Sequence, residues 1–183
     1  MSASSPKARR RVVTGHVAGK SVVLSDTALD PYLFRAVPGF EHTYVWKTAG
    51  GGEADPAQVD AALPRSALPP PGGSLVQFVT FPPAARRGQG TGDAQAAVAE
   101  YRTRLPGLAE TFEHDGSEMH VTHTIDYAFV LDGEVQLELD DGATTALSAG
   151  DIVVQQATRH GWRNRSELPA TIAFFMLDAG GAP

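Results

Sequence analysis

Hydrophobic and polar residues alternate along most of this 183-residue chain, in short stretches separated by Gly, Pro and Asp. Alternation with a period of two is typical of strands that bury one face. The pattern predicts nine strands, at residues 11–14, 20–25, 42–47, 74–81, 119–131, 134–139, 144–147, 151–156 and 171–177. Because tight turns join the later strands and no helices alternate with them, the pattern indicates an antiparallel sandwich or a small closed barrel.

Two segments interrupt the strands. Residues 48–73 are rich in Gly and Pro and are predicted to form a long loop. Residues 92–105 are predicted to form one short helix, because Asp93 can cap it and apolar residues follow at spacings of three and four.

The strands on either side of these segments are too few to close a sheet on their own. We therefore expect one domain at residues 11–183, with its core barrel at about 74–178. Residues 1–10 combine Ser, Pro and Ala with basic residues and are predicted to form a disordered tail.

Composition narrows the classes of function. The net charge is -6, and the only basic cluster, "KARRR", lies at the predicted tail, so we expect no nucleic-acid partner. No apolar run reaches about 18 residues, and the N-terminus has no apolar leader, so we expect no membrane contact and a cytoplasmic location. The absence of cysteine excludes disulfides, thiolate metal sites and cysteine nucleophiles.

The stretch "MHVTHTIDYAFVLDGEVQLELDDG" at 119–142 holds several side chains that can bind a metal ion. If it is a strand, His120 and Asp126 share one face, and His123 points to the other. The face of His123 is otherwise apolar and has no obvious cover in the chain, which predicts burial against the N-terminal strands or against a second copy in a homodimer. Its apolar members are Val121, Ile125, Tyr127 and Phe129.

This stretch resembles the first motif of the cupin superfamily, G-x5-H-x-H-x3 or 4-E-x6-G. His120 and Gly133 occupy motif positions, whereas Thr122 replaces the second histidine and Asp126 replaces the glutamate. The opening glycine is shifted to Gly116.

A second stretch resembles the second cupin motif, G-x5-P-x-G-x2-H-x3-N. It runs from Gly150 to His160 and Asn164, with Gln155 in the place of the proline. The resemblance implies an all-β fold, the cupin double-stranded β-helix or jelly-roll barrel, here with extra N-terminal strands and one short helix. Arg163, beside Asn164, is predicted to be a surface charge.

The resemblance further implies a metal site made of His120, Asp126 and His160. Two imidazoles and one carboxylate suit Fe, Mn, Ni or Zn and leave positions open for substrate or water. Six residues of flat strand span about 20 Å, so His120 and Asp126 can converge only if the chain bends between them. The loss of the motif histidine at Thr122 keeps a metal-free site open as an alternative.

The remaining candidates surround this set. Thr122 is a poor metal ligand, and it is predicted to hydrogen-bond substrate or water beside His160, the candidate acid or base. Thr124, Gln155 and Trp162 are the candidate substrate-binding residues.

Two functions follow from these candidates. The first is a metal-dependent cupin enzyme that acts on a small polar organic molecule as an oxygenase, decarboxylase, dehydratase or isomerase. The alternative is a non-catalytic, metal-free cupin that binds a small molecule. The sequence alone does not decide whether the chain is an enzyme.

Overall fold

The structure, a computed structural model, describes residues 9–50, 66–86 and 94–180. These residues form eleven strands, one α-helix and short 3-10 helices at Ala84–Arg86, Ala109–Thr111 and Asp140–Gly142. The strands and helix are β1 (Arg9–Val17), β2 (Lys20–Leu29), β3 (Tyr32–Leu33), β4 (Glu41–Thr48), β5 (Ser74–Phe81), α1 (Ala94–Arg104), β6 (Thr124–Asp132), β7 (Glu134–Glu138), β8 (Thr144–Ser148), β9 (Ile152–Gln156), β10 (Gly161–Arg163) and β11 (Ala170–Asp178). Across the described ranges, no helix is long and apolar enough to cross a membrane.

The strands form two facing sheets and a separate hairpin. The larger sheet has the order β3-β4-β5-β11-β6-β9, the smaller has the order β10-β7-β8, and β1 pairs with β2. All of these pairings are antiparallel. The predicted all-β jelly roll with extra N-terminal strands and one short helix is confirmed, although the two sheets are not hydrogen-bonded into a closed barrel.

The main core lies between the two sheets. On the central strand β11, Ile172, Phe174 and Met176 alternate inward and are all buried. They meet Val135 and Trp162 from the smaller sheet in one continuous apolar cluster. Burial of apolar side chains from both layers is what holds the sheets together.

The helix α1 is attached beside this core through Glu100. Its carboxylate accepts hydrogen bonds from the Tyr32 hydroxyl at 2.8 Å and from the backbone amides of Arg35 and Ala36 at 2.9 and 2.8 Å. The guanidinium of Arg104 lies 4.0 Å from the centre of the Tyr32 ring. These contacts fix α1 against the turn that follows β3.

Each of the nine predicted strands overlaps an observed strand, but the structure differs from the predictions at three places. The strand predicted at 119–131 begins only at Thr124, because the chain bends at His123. The short strands β3 and β10 were not predicted, since two or three residues cannot display an alternating pattern.

The predicted ends of the chain and helix are described only in part. Residues 1–8 of the predicted tail, and residues 92–93 with the predicted Asp93 cap, lie outside the described residues. Strand β1 begins at Arg9, inside the predicted tail. The proposed single domain and its limits stay a prediction.

The outer face of the larger sheet is only partly covered. The β1-β2 hairpin lies over its β4-β5 end, where Arg11 donates to the Val45 carbonyl at 3.1 Å and Arg9 lies 4.7 Å from the Phe78 ring centre. The β11-β6-β9 end carries exposed apolar side chains, which we call the outer apolar patch: Tyr127, Phe129, Leu131, Ile152, Val154 and Phe175. The predicted homodimer would bury this patch.

We predict that the outer apolar patch mediates self-association, and that Phe129→Lys combined with Val154→Lys converts a dimer into a monomer. Two ammonium groups at the centre of an apolar interface lose hydration without gaining partners. Sedimentation velocity of the wild type and the double variant measures the change. Leu168→Lys, which alters an exposed apolar residue outside the patch, should leave the dimer intact. A monomeric wild type would contradict the prediction.

Candidate functional site

A cavity of about 380 Å³ lies between the two sheets and is bounded on one side by α1. Its walls are mostly apolar, with contributions from residues such as Phe40, Val79, Phe112 and Phe174. The polar side chains that line it include His42, Gln77, Glu113, Glu118, His120, Thr122, Asp126 and His160. A mostly apolar cavity with a few converging polar groups is the usual form of a small-molecule site.

Two of these histidines are held side by side by the backbone. The His120 amide donates to the His160 carbonyl at 2.9 Å, and the His160 amide donates back to the His120 carbonyl at 3.0 Å. This reciprocal bridge brings the two ring centres to 4.3 Å from each other. Both side chains are buried. Residues 40 positions apart in sequence thus become one site.

Each ring is oriented by a hydrogen bond at Nδ1. That of His120 lies 3.3 Å from the Glu118 carbonyl oxygen, and that of His160 lies 2.9 Å from the Thr158 carbonyl oxygen. A carbonyl only accepts, so Nδ1 carries the proton in each ring and Nε2 keeps its lone pair. Glu118 adopts a left-handed backbone with φ of 58°, an uncommon conformation of the kind that is retained at functional sites.

The low polarity of the cavity changes the pKa values of its ionisable groups. Burial, followed by the neighbouring charges of His160 and Arg163, lowers the pKa of His120 to about 4. Burial also lowers the pKa of His160. Burial raises the pKa of Asp126 to about 6, and the Thr124 hydroxyl opposes this only in part. At neutral pH both imidazoles are therefore uncharged.

The donor chemistry of the cavity suits a divalent metal ion. Two imidazoles with free Nε2 atoms, each fixed through Nδ1, match the way proteins orient metal-binding histidines. Asp126 adds a buried carboxylate oxygen, Oδ1, that has no hydrogen-bond partner among the residues described. Within the described ranges, however, no three His, Cys, Asp or Glu side chains are gathered closely enough to hold one ion. The structure pairs the two histidines and places Asp126 on the same cavity without completing a cluster.

Of the other predicted residues, only some reach the cavity. Thr122 lines it, and its hydroxyl is hydrogen-bonded to that of Thr124 at 2.7 Å. Trp162 also lines it, and its ring packs edge-on against Phe174 with centres 5.5 Å apart. Thr124 is buried but is not part of the lining.

Gln155 is also buried away from the cavity lining. Its amide Nε2 donates to the Thr158 carbonyl at 3.2 Å and to the Thr158 hydroxyl. Because the same carbonyl receives Nδ1–H from His160, Gln155 supports the turn that orients His160.

The prediction that Arg163 is a surface charge is wrong. Its side chain is only 12% exposed, and its guanidinium pairs with Glu138 at 2.8 Å and with Glu118 at 3.2 Å. It also donates to the Ser117 carbonyl. The segment that leads to His120 packs over the outer side of β10, and Arg163 links that segment to β7.

Several cavity residues were missed by the sequence analysis, and two of them are polar residues of the larger sheet. His42 on β4 and Gln77 on β5 are both buried, and His42 Nε2 lies 2.7 Å from Gln77 Oε1. Burial lowers the pKa of His42. A signal was present in "SLVQFVTF", where alternation places Gln77 on the same face as Leu75 and Val79.

Comparisons with known proteins support the resemblance seen in the motifs. Residues 110–177 match the family model of the cupin domain. The chain is 56% identical over 64 residues to "Phomopsin biosynthesis cluster protein D" of Diaporthe leptostromiformis, which covers 34% of each chain. It is 37% identical over 65 residues to "Cupin-domain-containing oxidoreductase virC" of Hypocrea virens, again 34% of each. The matches thus span about a third of the length of these curated relatives.

Among solved structures, the chain is similar to KdgF from Halomonas sp.. The identity is 14%, the TM-score is 0.41, and the alignment covers 76% of this chain and 79% of that one.

We predict that Asp126→Asn stabilises the metal-free protein at pH 7.5, by an amount on the order of 1–3 kcal/mol. The pKa of Asp126 is raised from an ordinary 3.8 to about 6, so its charged form opposes folding above about pH 6. That penalty fades as the pH falls from 6 towards 4. Urea unfolding with chelator present, at pH 7.5 and pH 5.0, measures the difference from wild type. Asp132→Asn, at the exposed end of the same strand, serves as the control. A difference that stays constant between the two pH values would contradict the prediction.

Proposed function

We propose that this chain, which carries a cupin domain at residues 110–177, is an enzyme that acts on a small organic molecule inside the cavity between its sheets. The substrate has a largely apolar body and an oxygen-bearing group that reacts beside His120 and His160. The reaction belongs to the oxygenase, decarboxylase, dehydratase or isomerase type, and it depends on a divalent metal ion.

The observation that carries the proposal is the pair of buried, neutral imidazoles. Their ring centres are 4.3 Å apart, and each Nδ1 is committed to a backbone carbonyl. A merely structural histidine usually has both nitrogens satisfied, whereas the described residues give these two rings hydrogen bonds at Nδ1 and none at Nε2. Two such rings on one cavity of about 380 Å³ favour a chemical role over a packing role.

The chain's own groups can bind a substrate and move a proton. The apolar walls exclude water, which strengthens every polar interaction with a bound oxygen group. If His160 is not a metal ligand, it is neutral at pH 7 and can accept a proton at Nε2. Likewise, Asp126, with a pKa of about 6, can donate or accept a proton near neutrality when it binds no metal. Thr122 can hydrogen-bond the substrate or a water molecule.

A metal ion would be held by Nε2 of His120 and His160, with Asp126 as the predicted third ligand. When bound, it would supply the Lewis acidity that stabilises an enolate or another developing anion. The ligand types restrict it to Fe, Mn, Ni or Zn. The name "oxidoreductase" belongs to the relatives, and it supports an enzymatic role for the cupin domain here.

A second candidate function is a metal-free cupin that binds a small molecule without reacting with it. It is favoured by the lack of a three-ligand cluster in the part of the chain that the structure describes. The threonine at position 122, where the motif has a histidine, also favours this second function.

We predict near-stoichiometric Fe, Mn, Ni or Zn in protein purified without affinity metal or chelator, and its loss in the His120→Ala, His160→Ala double variant. Elemental analysis measures the metal, and removal of both imidazoles should lower its content by at least about tenfold. His123→Ala is the matched control, because His123 is exposed and lies only three residues from His120.

The outcomes separate the two functions. Metal in the wild type and the control but not in the double variant would direct substrate screening to dicarbonyl, catechol-like and hydroxy-acid compounds, with and without oxygen. A wild type that contains no metal, and takes up none on titration, would contradict metal dependence and favour the binding function.

A further inference from the structure

His42 and Gln77 form a polar pair that the proposed chemistry does not use. They lie on neighbouring strands β4 and β5, both line the cavity, and they are 7% and 3% exposed. Gln77 Oε1 can only accept a hydrogen bond, so His42 donates to it from Nε2 across 2.7 Å. The proton of the neutral ring is therefore on Nε2, and Nδ1 of His42 keeps its lone pair.

The donors and acceptors of this pair are not all used by strong hydrogen bonds. The Gln77 amide nitrogen carries two protons, and the acceptor that the structure gives it is the Met176 sulfur at 3.3 Å, a weak one. Within the described ranges, Nδ1 of His42 has no hydrogen-bond partner. A polar atom that faces an apolar cavity with only a weak partner favours a ligand that supplies a better one, and the Gln77 amide nitrogen is such an atom.

The pair lies apart from Asp126. Strand β11 separates β5 from β6, and it places Phe174 beside Gln77 and Met176 beside Asp126. Two steps between neighbouring strands correspond to about 10 Å from backbone to backbone. The strands that carry Gln77 and Asp126 are thus separated by Phe174 and Met176 on the cavity wall, and this backbone separation is comparable to the length of a molecule with one or two rings.

We propose that His42 and Gln77 form a second polar subsite, which binds a hydroxyl group at the far end of an apolar, ring-containing substrate. A hydroxyl matches the pair because its oxygen can accept from Nε2 of Gln77, whose amide is held in this orientation by the hydrogen bond from His42. The inference deepens the proposed function, on which it rests, by assigning the substrate two oxygen groups at opposite ends.

The test compares two ketones that differ only in that hydroxyl, 6-hydroxy-2-acetylnaphthalene and 2-acetylnaphthalene. Calorimetry with the full chain gives the dissociation constant of each. The wild type should bind the hydroxylated ketone about tenfold more tightly or better, as expected for a buried hydrogen-bonding group. Gln77→Leu and His42→Phe should each reduce the difference between the two ketones to less than about twofold.

Two further variants test whether a loss of the preference comes from the pair itself or from misfolding of the protein. His42→Gln retains an amide that can both donate and accept, so it should keep part of the preference. Thr80→Val with Thr171→Val removes a buried hydroxyl pair on β5 and β11, whose oxygens are 3.0 Å apart and which lies outside the cavity lining. This control should keep the full preference, and thermal unfolding of each variant confirms that it is folded.

The results distinguish the subsite from the proposed function. Equal affinities of the wild type for the two ketones, or a preference that survives in both Gln77→Leu and His42→Phe, would overturn the subsite alone. If His120→Ala, His160→Ala then weakens the binding of both ketones, the proposed function still stands. If neither ketone binds to the wild type, the result would overturn the subsite together with the cavity as the place of reaction.

Discussion

The reciprocal backbone hydrogen bonds between His120 and His160 are the constraint on which the site depends. They join the segment before β6 to the start of β10, so one end of the larger sheet is tied to the smaller sheet. Arginines on either side of His160 stabilise the same junction. Arg159 pairs with Glu113 at 2.5 Å, and Arg163 pairs with Glu138 at 2.8 Å.

The polar side chains of the site lower the free energy of unfolding of the protein. An apolar residue in place of His42, Gln77 or Asp126 would extend the core, and it would remove a buried polar group that lacks full hydrogen bonding. The fold tolerates this cost because the same strands bury a large apolar surface on either side, including Leu75, Val130 and Ile172. Local conflict between packing and polarity is typical of functional sites.

The sequence predicted the parts of this arrangement that depend on strand alternation and local motif. Alternation placed His120 and Asp126 on one face, and both are buried at the cavity. It could not reveal the bridge at His120, because that contact joins two bends and depends on how the sheets pack. Arg163 was mispredicted for a related reason, since its outer side is covered by a segment distant in sequence.

His42 and Gln77 were missed for another reason. Each stands alone in its own stretch of sequence, and only the pairing of β4 with β5 brings them together. A single polar residue in an apolar strand does not reveal its partner. The cavity-facing pair therefore became visible only when the register of the strands was known.

The low polarity of the cavity opposes charge on the groups that line it. The low polarity that lowers the pKa of His120 to about 4 also raises that of Asp126 to about 6, so ionisation of either group is opposed. A proton on an imidazole would leave a cation in an apolar cavity, whereas ionisation of Asp126 would leave an anion without a partner. A metal ion bound by the two free Nε2 atoms would favour the charged form of Asp126 and keep both imidazoles unprotonated. Under the proposed function, one ligand would account for both the unpartnered Oδ1 and the paired, fixed rings, and binding them to a single ion would require Asp126 to move closer to the two imidazoles than it lies here.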